Sequence, residues 1–205
     1  MPRFIRFSAC LLVCFAASSA GLTGCQRGEN WTAQTSVTGN NLYGVHFVDE
    51  MTGWAVGSDV MMATTDGGET WEMQFGPAEH LRDVQFLDQS TGWAVGSDEE
   101  YPFNSTSDGG KNWTGMQLGD FITNSSLGTG AFLHAVHFLD ANTGWVVGGG
   151  GIVLKTSDGG ATWEDQSPTD LTDGLSSVHF VDSESGWVAD SSGLILHLSI
   201  SPNGH

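Results

Sequence analysis

The chain has few basic residues. It carries 6 Lys and Arg against 24 Asp and Glu, so its formal net charge is −18 at pH 7. A surface this acidic repels phosphate backbones and anionic lipid headgroups, which excludes nucleic acid as a partner. The simplest consequence of the acidity is solubility. If the charge also serves binding, the expected partner is a protein with a basic surface.

Cysteine is scarce as well, since the sequence has only Cys10, Cys14 and Cys25. A basic start precedes an apolar stretch at 7–21, which is too short for a membrane-spanning helix and is typical of an export signal. The first two cysteines lie within this segment. The third, Cys25, follows the segment and belongs to a separate motif.

Residues 22–25, LTGC, resemble the bacterial lipobox, in which the signal is cleaved before the cysteine and that cysteine is acylated. We therefore expect a signal peptide at 1–24, lipid on Cys25 and a lipidated linker at 25–30. The protein would be exported and held in the bacterial envelope, at the periplasmic face or the outer membrane, touching the membrane through its lipid anchor only. No disulfide is then available, so stability must come from packing.

Internal repeats dominate the rest of the chain. A first unit, F-x-D-x-x-x-G-W, occurs four times, with 39, 52 and 42 residues between successive Phe residues. A second unit, T-x-D-G-G-x-x-W, follows the first three copies. The first unit opens the segments 47–57, 86–96, 138–148 and 180–190, and the second occupies 64–71, 106–113 and 156–163.

Each repeat is typical of four short antiparallel strands. Asp-Gly-Gly closes a hairpin between the third and the fourth strand, because glycine accepts the positive φ of tight turns. Four-stranded repeats of about 40 residues are the pattern of a β-propeller. We predict an all-β, four-bladed Asp-box propeller at 31–200 and a tail at 201–205. The blades are expected at about 43–75, 83–118, 133–166 and 175–199.

The second unit closely resembles the Asp box of sialidase-type propellers. Together, the two units are similar to the Ycf48-like family of BNR-repeat proteins, which are photosystem II assembly factors. The resemblance covers about 31–200. It implies a non-enzymatic propeller that binds a protein partner and helps to assemble a membrane complex. Members of this family usually have more than four blades, so this chain would be a short version.

Recurrence in every blade assigns the Asp-box residues to the fold rather than to one site. The Asp accepts hydrogen bonds from the N–H groups of its own turn, and the Trp covers the base of the hairpin. These structural residues are Asp66, Trp71, Asp108, Trp113, Asp158 and Trp163. In the second box Asn112 stands where the others have Thr, which predicts a looser hairpin.

The first unit also repeats an Asp and a Trp. The Asp is expected to bind the turn that follows it, and the Trp to pack between blades. The Asp residues are Asp49, Asp88, Asp140 and Asp182, and the Trp residues are Trp54, Trp93, Trp145 and Trp187.

Sialidase chemistry is excluded, because it needs three Arg to bind the substrate carboxylate and the mature chain has only Arg27 and Arg82. A glycan-binding protein or a two-carboxylate glycoside hydrolase stays open as the alternative, since acidic residues are plentiful. No nucleophile motif, phosphate loop, dinucleotide fingerprint or zinc spacing is present. We therefore predict no catalytic residue, no cofactor and no metal.

We expect the binding surface on the face that holds the links between blades and the loops from second to third strands. The link at 115–132 is the longest, and long insertions in a regular repeat tend to be functional or disordered. The segment 97–103 adds acidic and aromatic side chains on the same face. The candidate binding residues are Glu99, Glu100, Tyr101, Phe103, Phe121 and Phe132.

His46, His137 and His179 share one repeat position, which Gln85 occupies in the second blade. Neutral imidazoles on the innermost strands could surround and bind a metal ion in the central channel of the propeller. Packing between blades, with hydrogen bonds to backbone, is the simpler interpretation.

The last repeat lacks an Asp box, and the chain start supplies a matching element. Trp31 and Gln34 repeat the spacing of Trp71 and Gln74. We therefore predict that 31–35 forms the fourth strand of the last blade and closes the ring. The alternative is an open half-ring that pairs with a second chain into eight blades.

Overall fold

The computed structural model describes residues 31–98, 100–117 and 132–199, and it divides into two compact units, Met1–Ala33 and Gln34–His205. Of the first unit, residues 31–33 are described, and they form no helix or strand. The described part of the second unit is built from fifteen strands. Within these ranges, no helix has the length and apolar character needed to cross a membrane.

The strands form four antiparallel sheets, which we call blades 1 to 4 in chain order. Blade 1 contains β1 (Leu42–Phe47), β2 (Gly53–Gly57), β3 (Val60–Thr64) and β4 (Glu72–Gln74). Blade 2 contains β5 (Leu81–Phe86), β6 (Gly92–Gly96), β7 (Phe103–Thr106) and β8 (Thr114–Met116).

Blades 3 and 4 complete the series of four blades, which we call the row. Blade 3 contains β9 (Leu133–Phe138), β10 (Gly144–Gly148), β11 (Val153–Thr156) and β12 (Glu164–Asp165), with a short 3-10 turn at Gly149–Gly151. Blade 4 contains β13 (Leu175–Phe180), β14 (Ser185–Asp190) and β15 (Ile195–Ser199). In each sheet, neighbours along the chain are neighbours in the sheet, so every blade is a meander. The predicted all-β fold of four propeller blades is confirmed.

Local contacts explain the spacing of the first repeat unit. In blade 1, Asp49 Oδ1 accepts hydrogen bonds from the N–H groups of Met51 (2.8 Å) and Thr52 (2.6 Å), which closes the turn between β1 and β2. Phe47 then faces Gly53 across the two strands, and a Cβ on that glycine would lie 2.6 Å from the Phe ring. Only glycine fits beneath the ring.

Large side chains hold successive blades together. The Trp of the second strand stacks on the Phe at the end of the next blade's first strand, with ring centroids 3.5–3.6 Å apart in all three junctions. The pairs are Trp54–Phe86, Trp93–Phe138 and Trp145–Phe180. Since these six rings are almost fully buried, the core of the molecule lies between the blades.

The predicted closure of the ring is wrong. Residues 31–35 form no strand, and within the described residues β15 pairs only with β14, so blade 4 has three strands. The outward faces at the two ends stay exposed, with Val45 65 % and Trp187 39 % accessible. Within the described residues, no Trp–Phe stack joins blade 4 to blade 1 as such stacks join the other successive blades.

Trp187 also departs from its prediction, because within the described residues no other blade packs against it. Its indole stacks instead on His197 of its own blade, with centroids 4.5 Å apart and planes 12° apart.

Candidate functional site: the link face

The links between blades and the loops that join second to third strands meet on one face of the row. The link between blades 1 and 2 binds the β2–β3 loop, since the N–H of Asp59 donates to the carbonyl of Glu79. The same link binds the β6–β7 loop, since the N–H of Ser97 donates to the carbonyl of His80 at 2.8 Å. Asp98 Oδ2 also accepts the N–H of Glu79 at 3.2 Å. These bonds fix the loops to one another.

The later junctions repeat this arrangement. The N–H of Gly149 donates to the carbonyl of Phe132 at 2.8 Å, and Gly151 lies against the backbone of Leu171. We call the resulting surface the link face. It comprises residues 58–59, 73–80, 97–98, 100–102, 132, 149–151 and 167–174.

Of the predicted binding residues, Glu100, Tyr101 and Phe132 lie on the link face. Glu100 is exposed and accepts a hydrogen bond from Gln117 Nε2 at 3.3 Å. The hydrogen bond and charge of the same carboxylate raise the pKa of the Tyr101 phenol. The ring of Tyr101 borders Gly115 beside Pro77, and Phe132 is 46 % exposed. Glu99 and Phe121 lie outside the described residues.

Phe103 is a core residue, which corrects its prediction as part of a surface loop. It opens strand β7, it is 1 % exposed, and its ring meets Trp163 of blade 3 edge-on at 5.0 Å. Residue 103 pairs with Val95 of the central strand, so its side chain points into the junction between blades 2 and 3. It cannot contact a partner while the blades stay packed.

Phe75, which is not among the predicted binding residues, is 82 % exposed directly after β4. It lines a groove of about 430 Å³ together with Asp59, Met61, Met73 and Glu79. The signal was available: Phe75 follows the Trp-x-x-Gln pattern of the fourth strand, where Ser167 follows it in blade 3. A large aromatic residue at a position that a polar one can fill indicates a role outside packing.

The groove is bordered by carboxylates. Asp59 Oδ1 lies 3.5 Å from Nδ1 of His80, and Glu79 completes a cluster whose ligand atoms lie within 4.8 Å of one another. Asp98 stands behind them: burial raises its pKa, but hydrogen bonds from the N–H groups of Tyr101, Glu79 and Glu100 outweigh this and lower it. The link face therefore presents fixed negative charge beside apolar side chains.

That cluster of Asp59, Glu79 and His80 is the one group with metal-ligand spacing in the described ranges. All three side chains are exposed to water. Exposed acidic groups of this kind occur without an ion, so the geometry alone assigns no metal here.

The histidine position serves the junctions between blades. Gln85 Nε2 donates to the carbonyl of Phe138 at 3.0 Å, and His137 Nε2 lies 2.9 Å from the carbonyl of Phe180. Burial lowers the pKa of His137, so the ring is neutral at pH 7. His137 and His179 rings lie 4.7 Å apart, and neither belongs to a described cluster with metal-ligand spacing. The packing interpretation of this position is supported.

The Asp-box carboxylates accept hydrogen bonds from residues of their own turns. Asp66 Oδ1 accepts the N–H of Thr70 at 2.9 Å and the hydroxyl of Thr64 at 2.7 Å. The hydroxyl and N–H of Thr70 lower the pKa of Asp66 to about 2. In the second box Asn112 makes the equivalent bonds to Asp108, at 2.9 Å from its N–H and 2.7 Å from Nδ2, so that hairpin is not looser.

The described carboxyl with a raised pKa is Asp83. Burial between blades 2 and 3 raises it, although Oδ2 accepts the N–H of Val136 at 3.0 Å. Asp83 borders neither the groove at Phe75 nor a second cleft between the rims of blades 1 and 2, of about 790 Å³. The hydrogen bond that it accepts from Val136 joins strand β5 of blade 2 to strand β9 of blade 3.

Four meander sheets joined through Asp-box turns and Trp–Phe stacks define a BNR-repeat propeller protein. Residues 120–202 match the family model described as photosynthesis system II assembly factor YCF48. This match covers less than half of the chain, which is therefore similar to that family in this part, and the repeats and the fold are those of a BNR-repeat propeller. None of the curated proteins matches the sequence.

Solved structures share the fold at low identity. YCF48 from Cyanidioschyzon merolae is 16 % identical with a TM-score of 0.59, over 77 % of this chain and 50 % of that one. The computationally designed protein Ika4 is 11 % identical with a TM-score of 0.60, over 85 % of this chain and 99 % of that one. An ancestral GH74 enzyme is 12 % identical with a TM-score of 0.60, over 78 % and 23 %. This chain thus spans about half the length of the YCF48 structure.

Proposed function

We propose that this chain is a non-enzymatic protein-binding module of the assembly-factor type, and that it binds its partner through the link face. The observation that carries the proposal is the groove at Phe75. Exposed aromatic and thioether side chains stand there beside the carboxylates of Asp59 and Glu79, on loops that hydrogen bonds hold in place. A preformed groove in which exposed apolar side chains stand beside a few charged groups can bind a ligand and fix its orientation.

The chemistry of the link face selects the partner. An apolar side chain that enters the groove is desolvated against Phe75 and Met73, and a Lys or Arg next to it meets Asp59 or Glu79. Complementary charge of this kind speeds encounter and sets specificity more than it adds affinity. The proposed partner is therefore a protein segment in which basic residues flank a large apolar residue.

The match at 120–202 to an assembly-factor family supports a role in building a complex, and the resemblance of residues 22–25 to a lipobox supports the proposal that this complex lies at the bacterial envelope. A lipid on Cys25 would hold the propeller at the membrane surface. A Cys25→Ala variant should then leave the membrane fraction and lose the acyl mass on mass spectrometry. Retention of both would contradict the lipid anchor.

The test of binding is capture of envelope proteins on the full lipidated chain, read by mass spectrometry. Phe75→Ala and Glu79→Lys should each lose the partner that the wild type captures, and added salt should weaken its capture. Glu164→Lys is the matched control, because Glu164 is exposed on the fourth strand of blade 3, away from the link face. A partner that all the variants capture equally would refute the link face as the site.

The cleft of about 790 Å³ between the rims of blades 1 and 2 favours glycan binding as a second candidate. Asp49, Glu72 and Asp108 line it, as does Trp54. A glycoside hydrolase needs a general acid with a raised pKa. Hydrogen bonds from Gln89 and from N–H groups of its turn lower the pKa of Asp49, and bonds from Asn112 lower that of Asp108.

Incubation with a panel of envelope polysaccharides separates the two candidates. Steady release of products by the wild type would overturn the non-enzymatic proposal. Saturable binding without products, lost in Glu72→Gln, would assign the cleft to a glycan.

A further inference from the structure

The two ends of the row expose the two halves of one interface. In blades 2 to 4 the Phe that receives the preceding Trp is 2 % exposed, and in blades 1 to 3 the Trp that it receives is 0–2 % exposed. At the ends, Phe47 has no Trp upon it in the described structure and Trp187 has no Phe, and each is 39 % exposed. Blade 4 thus exposes a Trp of the kind that stacks on the next blade, and blade 1 exposes a Phe of the kind that receives it.

The hydrogen bonds of the junctions show the same complementarity. The carbonyl of Gly109, in the Asp box of blade 2, accepts two bonds from blade 1: Trp54 Nε1 at 3.0 Å and Gln74 Nε2 at 2.9 Å. The carbonyl of Gly67, in the Asp box of blade 1, accepts Gln34 Nε2 at 2.8 Å. Among the described residues, no indole donates to it. The position filled by Trp54 in the next junction is open.

Gln34 shows where a preceding blade belongs. It meets the Asp box of blade 1 as Gln74, on the fourth strand of blade 1, meets that of blade 2. Gln34 therefore occupies the position of a residue on the fourth strand of a blade that precedes blade 1. In the part of the chain that the structure describes, blade 4 has three strands and no fourth strand pairs with β15.

Blade 4 also carries an unfilled groove where the other blades hold a Trp. In blades 1 to 3 the Asp-box Trp packs edge-on against the Phe of its own first strand, at 5.8–6.4 Å. In blade 4 the corresponding Phe180 borders a groove of about 250 Å³, lined also by Val188, Leu196 and Leu198. Trp31 lies three residues before Gln34, as Trp71 lies three before Gln74.

We propose that two copies of this chain close head to tail into one eight-bladed ring. The outward face of blade 4, with Trp187 and Ile195, docks on the outward face of blade 1 of the other copy, with Val45 and Phe47. Trp187 stacks on Phe47 of the second copy and donates to the carbonyl of its Gly67.

In this ring, the segment around Trp31 and Gln34 of each copy supplies the fourth strand of blade 4 of the other copy, and Trp31 fills the groove beside Phe180. Ile195 occupies the repeat position of Phe103, which packs on the Asp-box Trp of the next blade, so it meets Trp71 of the second copy. Every contact has a template within the chain.

Two copies are the number that fits. Propellers have about 4–8 blades, so two copies reach eight and three would exceed the range. A head-to-tail contact gives a ring if the rotation closes and a filament if it does not. In a closed pair the second junction forms within the complex that the first has made, which strengthens both.

The test is the mass of the full chain by sedimentation equilibrium in a detergent matched in density to the solvent. The wild type should have the mass of two chains. Val45→Asp and Trp187→Asp each place a charge in the junction and should halve the mass, whereas Trp187→Phe, which keeps a stacking ring, should not. Phe75→Asp is the control, because Phe75 is apolar and exposed but lies outside both end faces.

Folding is checked by far-ultraviolet circular dichroism of each variant. A tagged Val45→Asp chain should capture an untagged Trp187→Asp chain, since one junction between them is intact, and neither variant should capture itself. A wild type of one-chain mass overturns the proposal, as do masses that grow beyond two chains with concentration. Loss of pairing in Val45→Asp alone would instead indicate that blade 1 faces pair with each other.

Discussion

The indole of Trp93 in blade 2 lies flat on the ring of Phe138 in blade 3, with centroids 3.6 Å apart and planes 1° apart. Both side chains are 2 % exposed, and the indole N–H also donates to the carbonyl of Gly159 at 3.0 Å. One residue thus joins the middle strand of its blade to two elements of the next. The stability of the row rests on such junctions, because the chain as described has no disulfide to replace them.

Trp93→Ala should lower the free energy of unfolding by about 3–5 kcal/mol, because it leaves a cavity between blades 2 and 3 and an unused carbonyl at Gly159. Urea unfolding at one protein concentration measures this. The control is Phe75→Ala, which removes an aromatic ring that is 82 % exposed and should change stability by less than about 0.5 kcal/mol. Equal effects would show that the junction is not the main source of stability.

Gly92→Ala should destabilise the fold by about 1–3 kcal/mol, since its Cβ would lie 2.5 Å from the ring of Phe86 and the ring has no room to move. Gly39→Ala is the matched control: no atom lies within 4 Å of its Cβ position, and we expect a change below about 0.5 kcal/mol. Thermal unfolding of the two variants compares them directly. A Gly92→Ala chain as stable as the control would contradict the packing of Phe on Gly.

The Asp boxes should make stability depend on acid. The pKa of Asp66 is about 2 in the folded chain, below its ordinary value of 3.8, so the carboxylate stabilises the fold above pH 3.8. This contribution is lost as the pH falls from 3.8 toward 2. Asp66→Asn should therefore be less stable than wild type at pH 6, with the difference shrinking toward pH 2. Glu69→Gln is the control, as Glu69 lies in the same turn without a described hydrogen bond; parallel curves for all three chains would refute the assignment.

Ionisation of Asp83 should lower the stability of the fold, which is the opposite of the effect of Asp66. Burial raises its pKa above the unfolded value, so ionisation costs the folded state stability as the pH rises above 3.8 through the folded pKa. Asp83→Asn keeps an oxygen that accepts the N–H of Val136 and removes the charge. We expect its stability relative to wild type to increase from pH 3.5 to pH 7, measured by urea midpoints. A difference that does not change with pH would place the carboxylate in a solvated site.

Much of each blade follows from residues that are close in sequence. The Phe, Asp and Gly-Trp of the first unit make a turn in which Asp49 binds the next N–H groups and Phe47 covers Gly53. The Asp box is equally local, and Asn112 supplies the same bonds as Thr because its amide reaches the same carboxylate. Contacts within about ten residues depend on side-chain chemistry alone, so the pattern predicts them.

The candidate site was predicted in part for the same reason. The repeat places the loops that form the link face, and Glu100, Tyr101 and Phe132 lie there. The burial of Phe103 depends on Trp163, which belongs to another blade and is distant in the sequence. The groove at Phe75 is lined by residues 59–79 of blade 1 and its link, which are near in the sequence. The burial of Phe103 could therefore not be inferred from the sequence, whereas Phe75 could have been singled out by its place after the Trp-x-x-Gln pattern.

The sequence by itself determined the strands, the turns and the number of blades, because hydrogen bonds and ring packing within one repeat specify them. Only the tertiary structure decided that the row stays open, that Gln34 binds the Asp box of blade 1, and that Trp187 is left without a Phe. The reason is geometric. Ring closure depends on the rotation accumulated over three junctions of large side chains, and no single repeat encodes that sum.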